Sequence, residues 1–144
     1  MLTAEDVALV RASFAQIAPI RERVADLFYE RLFEIAPGLR PMFPTNLAEQ
    51  KRKLMAMIAT AVGGLSDLDR LVPQVKALGA RHANYGVTTA HYSIVGEVLT
   101  WTLARGLGDG FTANTRAAWT KVYGVLAGTM QAGAAEAAEL CAAE

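Results

Sequence analysis

The chain has 144 residues, 53% of them hydrophobic and 19% charged, and its 14 basic and 14 acidic side chains cancel to a net charge of zero. That length supports one domain with a substantial core, and the neutral balance argues against a polyanion-binding surface, so no nucleic-acid partner is expected. No apolar run approaches the ~20 residues that cross a bilayer, so no membrane span is expected, and the apolar excess is left to cover something internal, such as a large apolar ligand.

Residues 1–6 carry neither the basic head nor the apolar stretch of a secretory leader, and Cys141 is the only cysteine. Neither an intrachain disulfide nor a cysteine metal cluster is available to it, and a cytoplasmic location is the expectation.

Thr3, with Asp6 three residues on, is a capping signal that opens a helix through Val7, Val10, Phe14 and Ile17 as far as Pro19. A second stripe, Ala25, Phe28, Leu32 and Ile35, stops before Pro37. Pro37, Pro41 and Pro44 stand too close together for a long helix and predict an irregular corner around Phe43. Asn46, followed by Glu49, restarts a helix carrying Gln50, Leu54, Met57, Ile58, Ala61 and Leu65, with Gly63 and Gly64 weakening its end. The next helix runs from about Leu68 to Asn84, where Pro73 is admissible only near the start and Gly86 breaks the pattern. Thr88 or Thr89 caps a helix through Tyr92, Val95, Leu99 and Leu103, ended by Gly106, Gly108 and Gly110. Thr112 opens the last and longest, through Trp119, Val122, Tyr123, Leu126 and Met130. There is no period-2 alternation, repeat or long linker, so the class is all-α and the expected organisation is a single domain over residues 1–144.

His82, one of two histidines, carries the most chemistry. Leu71, Val75, Leu78 and His82 recur at helical spacing, so the ring continues an apolar stripe. A polar ring turned into a core needs a partner, and a carbonyl, a carboxylate or a metal would serve. Both a hydrogen-bonded core histidine and an axial iron ligand fit that position. His91 sits in the first turn of its helix among polar neighbours and reads as a half-exposed surface residue.

Other residues share this duality. Tyr29 is a core tyrosine or a hydroxyl in a pocket, and Gln50 a boundary residue or a second pocket donor. Phe43 plugs the corner or wedges against a planar ligand. Glu136 continues the stripe Val122, Leu126, Thr129 and Gly133, yet its Ala-rich surroundings read as an exposed terminus. Arg81 and Lys53 are solvated charges or partners for haem propionates at a pocket mouth. Each bland explanation stands alone, but their coincidence around one histidine suggests a haem pocket. The glycine clusters match no phosphate-loop or dinucleotide fingerprint, and without Cys-x-x-Cys-His a haem would be held non-covalently. Zinc sites of the Cys/His kind lack ligands here, and no Ser–His–acid arrangement has the expected flanks.

Four stretches carry a family resemblance: Leu27-Phe28-Tyr29, Arg81-His82, Ala90-His91-Tyr92-Ser93-Ile94-Val95-Gly96, and Ala118-Trp119-Thr120-Lys121-Val122-Tyr123-Gly124-Val125-Leu126. Through them the chain resembles, over about its whole length, the bacterial globins: the haemoglobin domain of flavohaemoglobins and the single-domain bacterial haemoglobins. The resemblance implies a globin fold of roughly six to eight helices around a haem pocket, with a short or absent fourth helix. It implies haem b as cofactor, His82 as the proximal iron ligand, and Tyr29 and Gln50 as the distal pair beside Leu54. Phe43, Lys53, Arg81, Val87, Tyr92 and Val95 would contact the cofactor, and Tyr92 and Glu136 would hydrogen-bond on the proximal side. Around Glu136, Gly133-Ala134-Ala135 departs from the family's bulkier text.

The implied function is reversible binding of O2, NO and CO with high oxygen affinity, for oxygen storage or transport. The implied catalytic set is Tyr29, Gln50, Tyr92 and Glu136, which would supply geometry and electrostatics while the haem oxidises nitric oxide to nitrate with O2 and so detoxifies it. Flavohaemoglobins continue into flavin- and NAD-binding domains that have no counterpart in these residues, so an external reductase is the expected partner. A haem-based gas sensor, or a redox or interaction module signalling to a partner, is the alternative, and a cofactor-free helical protein is the bland rival.

Overall fold

Six α-helices make up the described residues: α1 (Ala4–Ile17), α2 (Arg21–Ile35), α3 (Ala48–Gly63), α4 (Leu68–Asn84), α5 (Thr89–Leu107) and α6 (Ala113–Ala143). Short 3-10 turns at Ala18–Ile20, Pro37–Met42 and Gly108–Gly110 join several of them. The computed structural model describes residues 2–143, with side chains through Leu140, so the Cys141 side chain lies outside the described residues. Among the described residues there is no strand, and no helix is long and apolar enough to cross a membrane.

The ends of the helices follow their local chemistry. Thr3 Oγ1 accepts the Asp6 N–H at 3.0 Å while Asp6 Oδ2 accepts the Thr3 N–H at 3.0 Å, so α1 opens on a reciprocal cap. The Thr3 bond holds the Asp6 carboxyl below the usual carboxylate range, and Lys121 of α6 pairs with it at 3.1 Å. Pro37 ends α2, and residues 43–47 contain no helix, which is the short corner expected ahead of Gln50. Asn46 Oδ1 accepts the Ala48 N–H at 3.0 Å, although the residue in cap position is Leu47. Of the two threonines offered for α5, Thr88 is the cap. Pro73 departs from expectation: it lies inside α4, in its second turn, rather than near the start.

Two apolar clusters hold the helices together. Val10, Ile17, Val24, Met55, Val62, Leu103, Trp119 and Val122 join α1, α2, α3, α5 and α6 in the larger one. Trp119 Nε1 donates to Ser13 Oγ at 2.8 Å within it, so the indole is buried without an orphaned donor. Phe28, Tyr29, Leu32 and Val98 form the smaller one, between α2 and α5.

α4 is placed differently. It packs along α6 and makes no extended contact with α2, α3 or α5. Glycines allow that approach: a Cβ built on Gly79 would collide with the Met130 backbone, and one on Gly133 with the Lys76 backbone. The helix bearing His82 is thus clasped to the last helix and stands clear of the Tyr29 cluster.

Candidate haem site

Tyr29 lies on the buried side of α2 and is only 3% exposed. Its ring meets Phe28 edge-on at 5.1 Å, Phe43 edge-on at 5.7 Å and Phe33 tilted at 6.1 Å. Leu39, Leu47, Leu54, Ile94, Val95 and Leu99 pack around this cluster. Burial pushes the Tyr29 phenol up, and a contact with the Gln50 side chain opposes that rise. The hydroxyl is therefore protonated at neutral pH and remains a donor. Leu54 follows Gln50 by one turn of α3, which places both on one face. The Tyr29 hydroxyl thus lies in a wall otherwise aromatic and aliphatic, and Gln50 is half-buried in the first turn of α3.

On α4, His82 Nδ1 lies 2.9 Å from the Leu78 carbonyl oxygen. A carbonyl can only accept, so Nδ1 carries the proton and a neutral ring keeps its lone pair on Nε2. The ring is half-buried and tilts 6.5 Å from Tyr85. Val87, also half-buried, returns its N–H to the His82 carbonyl at 3.1 Å and closes the helix end. Arg81 and Lys53 are exposed, and Lys53 reaches Glu49 at 3.6 Å.

The groups expected to hydrogen-bond on the proximal side have other partners here. Glu136 Oε1 pairs with Lys76 Nζ at 2.9 Å and its side chain is 56% exposed, while the His82 N–H is taken by Leu78. Gly133, one turn earlier on α6, lies against the α4 backbone, and Glu136 emerges on the flank where Lys76 meets it. Tyr92 forms no hydrogen bond to His82 or Glu136 among the described residues; its carbonyl accepts the Tyr123 hydroxyl at 2.6 Å. Burial pushes both phenols up. His91 Nδ1 accepts the Thr88 N–H at 3.0 Å, so that ring is engaged in capping α5.

Sequence reasoning passed over Arg40. Its guanidinium donates to the carbonyls of Phe43, Pro44 and Thr45 at 3.3, 2.9 and 3.0 Å and lies 5.2 Å from the Phe33 ring centre. An arginine flanked by Leu39 and Pro41 in a proline-rich corner was the only available signal.

The surroundings suit a large flat group. Leu54, Val75, Leu78, His82, Val87, Tyr92, Ile94 and Val95 are apolar or inward-facing positions that protein atoms cover only in part. A lone imidazole donor on an apolar wall is too sparse a ligand set for a free divalent cation, and no cluster of His, Cys, Asp and Glu that could hold a metal exists among the described residues. One nitrogen suffices for an iron already held by four nitrogens of a macrocycle, so the residues fit haem. Two surface grooves lie elsewhere: one of about 650 Å³ beside Val7, Arg11 and Leu68, the other of about 470 Å³ beside Trp101, Arg116 and Tyr123.

Comparison with known proteins converges on the same architecture. The globin family model matches residues 26–130. A flavohemoprotein of Bacillus subtilis is 30% identical over 132 residues, covering 88% of this chain and 33% of that protein, so the chain spans about a third of that relative. Neuroglobin-2 of Oncorhynchus mykiss is 30% identical over 152 residues, covering 96% of each. An engineered carbene transferase from Rhodothermus marinus, whose parent is named for nitric oxide dioxygenation, superposes with a TM-score of 0.87 at 25% identity over 99% of both chains. A bacterial globin from Campylobacter jejuni shares the fold, with a TM-score of 0.80 at 24% identity over 95% of this chain and 99% of that one.

Proposed function

The chain belongs to the globin family, and from that premise we propose that it holds a b-type haem through His82, binds O2, NO and CO reversibly, and oxidises nitric oxide to nitrate with O2 as the oxidant and oxygen source, an external reductase returning the one electron each nitrate requires. When bound, the haem supplies an iron that takes up diatomic gases and carries the redox chemistry. His82 offers Nε2 as the donor, and the Leu78 carbonyl fixes both the tautomer and the ring angle. The Tyr29 hydroxyl and the Gln50 amide would donate hydrogen bonds to a bound gas. The phenyl rings of Phe33 and Phe43 exclude water there, which strengthens both bonds. A ligand that takes on negative charge, as O2 does, gains more from these donors than CO.

The observation that carries this reading is the burial of the Tyr29 phenol inside an apolar cluster, with the Gln50 side chain opposing the upward push of that burial. The nitric oxide reaction is supported by the name of the Rhodothermus marinus protein's parent.

Stopped-flow release of O2 tests the pocket. A hydrogen bond to a charged acceptor contributes about 1.5–3 kcal/mol, so Tyr29→Phe should release O2 roughly ten- to a hundredfold faster while CO release changes far less. Gln50→Leu should act in the same direction more weakly, and the double variant should fall short of additive. An O2 off-rate unaltered in Tyr29→Phe contradicts the reading.

A further inference from the structure

We propose that Arg40 is a positioning residue for gas binding: it latches the corner at residues 43–47, and thereby keeps Gln50 opposite Tyr29. The proposal rests on the gas-binding reading above for its function and on the following geometry for its mechanism. The corner has no helical ladder to fix it, and Phe43 is extended (φ −120°, ψ 152°). Prolines at 41 and 44 offer no N–H to bond across it. One side chain supplies what the backbone lacks, because the Arg40 guanidinium donates to three successive carbonyls, those of Phe43, Pro44 and Thr45. A planar fork with several fixed donors can do this, whereas an ammonium acts as a point charge.

The same guanidinium rests on the Phe33 ring, and Phe33 packs edge-on against Phe43 at 5.4 Å. Both rings touch Tyr29. Thr45 is followed by Asn46 and Leu47, whose oxygens accept the Ala48 and Lys51 N–H groups at 3.0 and 2.8 Å and start α3. Gln50 sits in that first turn. Fixing the corner therefore fixes the start of α3, and with it the distance of the Gln50 amide from the phenol. Two of the three bonds are exposed, so the latch orders the corner more than it stabilises the fold.

The test uses Arg40→Met, which keeps an apolar stem over Phe33 and removes every donor. O2 release should quicken roughly three- to tenfold with CO release within about twofold, because a charged acceptor loses a donor and a neutral one does not. Combined with Gln50→Leu, Arg40→Met should add nothing to the O2 off-rate, since it acts through that side chain. Equal acceleration of O2 and CO, a multiplicative double variant, or unchanged rates would each overturn the proposal. Amide exchange in the purified full chain, read with or without gas, should speed up at residues 45–51 and not in α1 or α6. Unchanged exchange there also overturns it. Arg40→Lys, able to serve one carbonyl, should recover part of both effects and stands in should the methionine variant fail to fold. A wild-type protein that takes up no gas would refute the gas-binding reading, while the exchange measurement still decides the latch.

Discussion

His82 and Leu78 are one helical turn apart, and that spacing lets the imidazole bond its own helix rather than a neighbouring one. A neutral carbonyl draws less on the Nδ1 proton than a carboxylate would, so on the proposed ligation Nε2 would donate more weakly than the expected Glu136 partnership would make it. Glu136→Gln should accordingly leave the ferrous iron–histidine stretching frequency and the reduction potential where they are; resonance Raman and redox titration measure both. A fall in the frequency would show that the carboxylate reaches the ring after all. The stripe Leu71, Val75, Leu78, His82 was readable from spacing, and the acceptor was already within it. Glu136 was not readable in the same way. Periodicity tells which face of α6 a residue shares, whereas the collision course of Gly79 with Met130 and of Gly133 with Lys76 decides what that face meets.

Between α4 and α6, backbone presses on backbone at both glycines, and either added methyl must push the helices apart. Overpacking of this kind costs about 1–3 kcal/mol, so Gly79→Ala and Gly133→Ala should lower the thermal midpoint and hasten haem loss, as α4 carries His82. Gly124 and Gly128, on the same last helix, have open space where a Cβ would go. There alanine should raise stability by up to about 1 kcal/mol, because only the helix propensity changes. Thermal melts of the four variants check the opposite signs, and equal signs would mean that the clasp yields. Helix ends were legible because Thr3, Pro37, Gly64, Thr88 and Thr112 each act on neighbouring backbone. The corner's fastening was not, since the three carbonyls that Arg40 bonds offer no side-chain pattern to read.

Across the molecule, the apolar excess noted in the composition goes into two clusters and the half-covered faces of α3, α4 and α5. The separation of α4 from α2, α3 and α5 leaves those faces half-covered rather than closed into a core. Spacing placed these residues on their helix faces but could not show what each face meets, which depends on α4 leaning on α6. Of the two histidines, His82 has no hydrogen-bond partner at Nε2 among the described residues and His91 caps α5. Titrating the purified chain with haem and recording its absorption spectrum tests this assignment most directly. Wild type and His91→Ala should take up one haem per chain with the same Soret band, and His82→Ala should lose stable binding or show an abnormal spectrum. An unchanged spectrum in His82→Ala, or loss of the haem in His91→Ala alone, would contradict it.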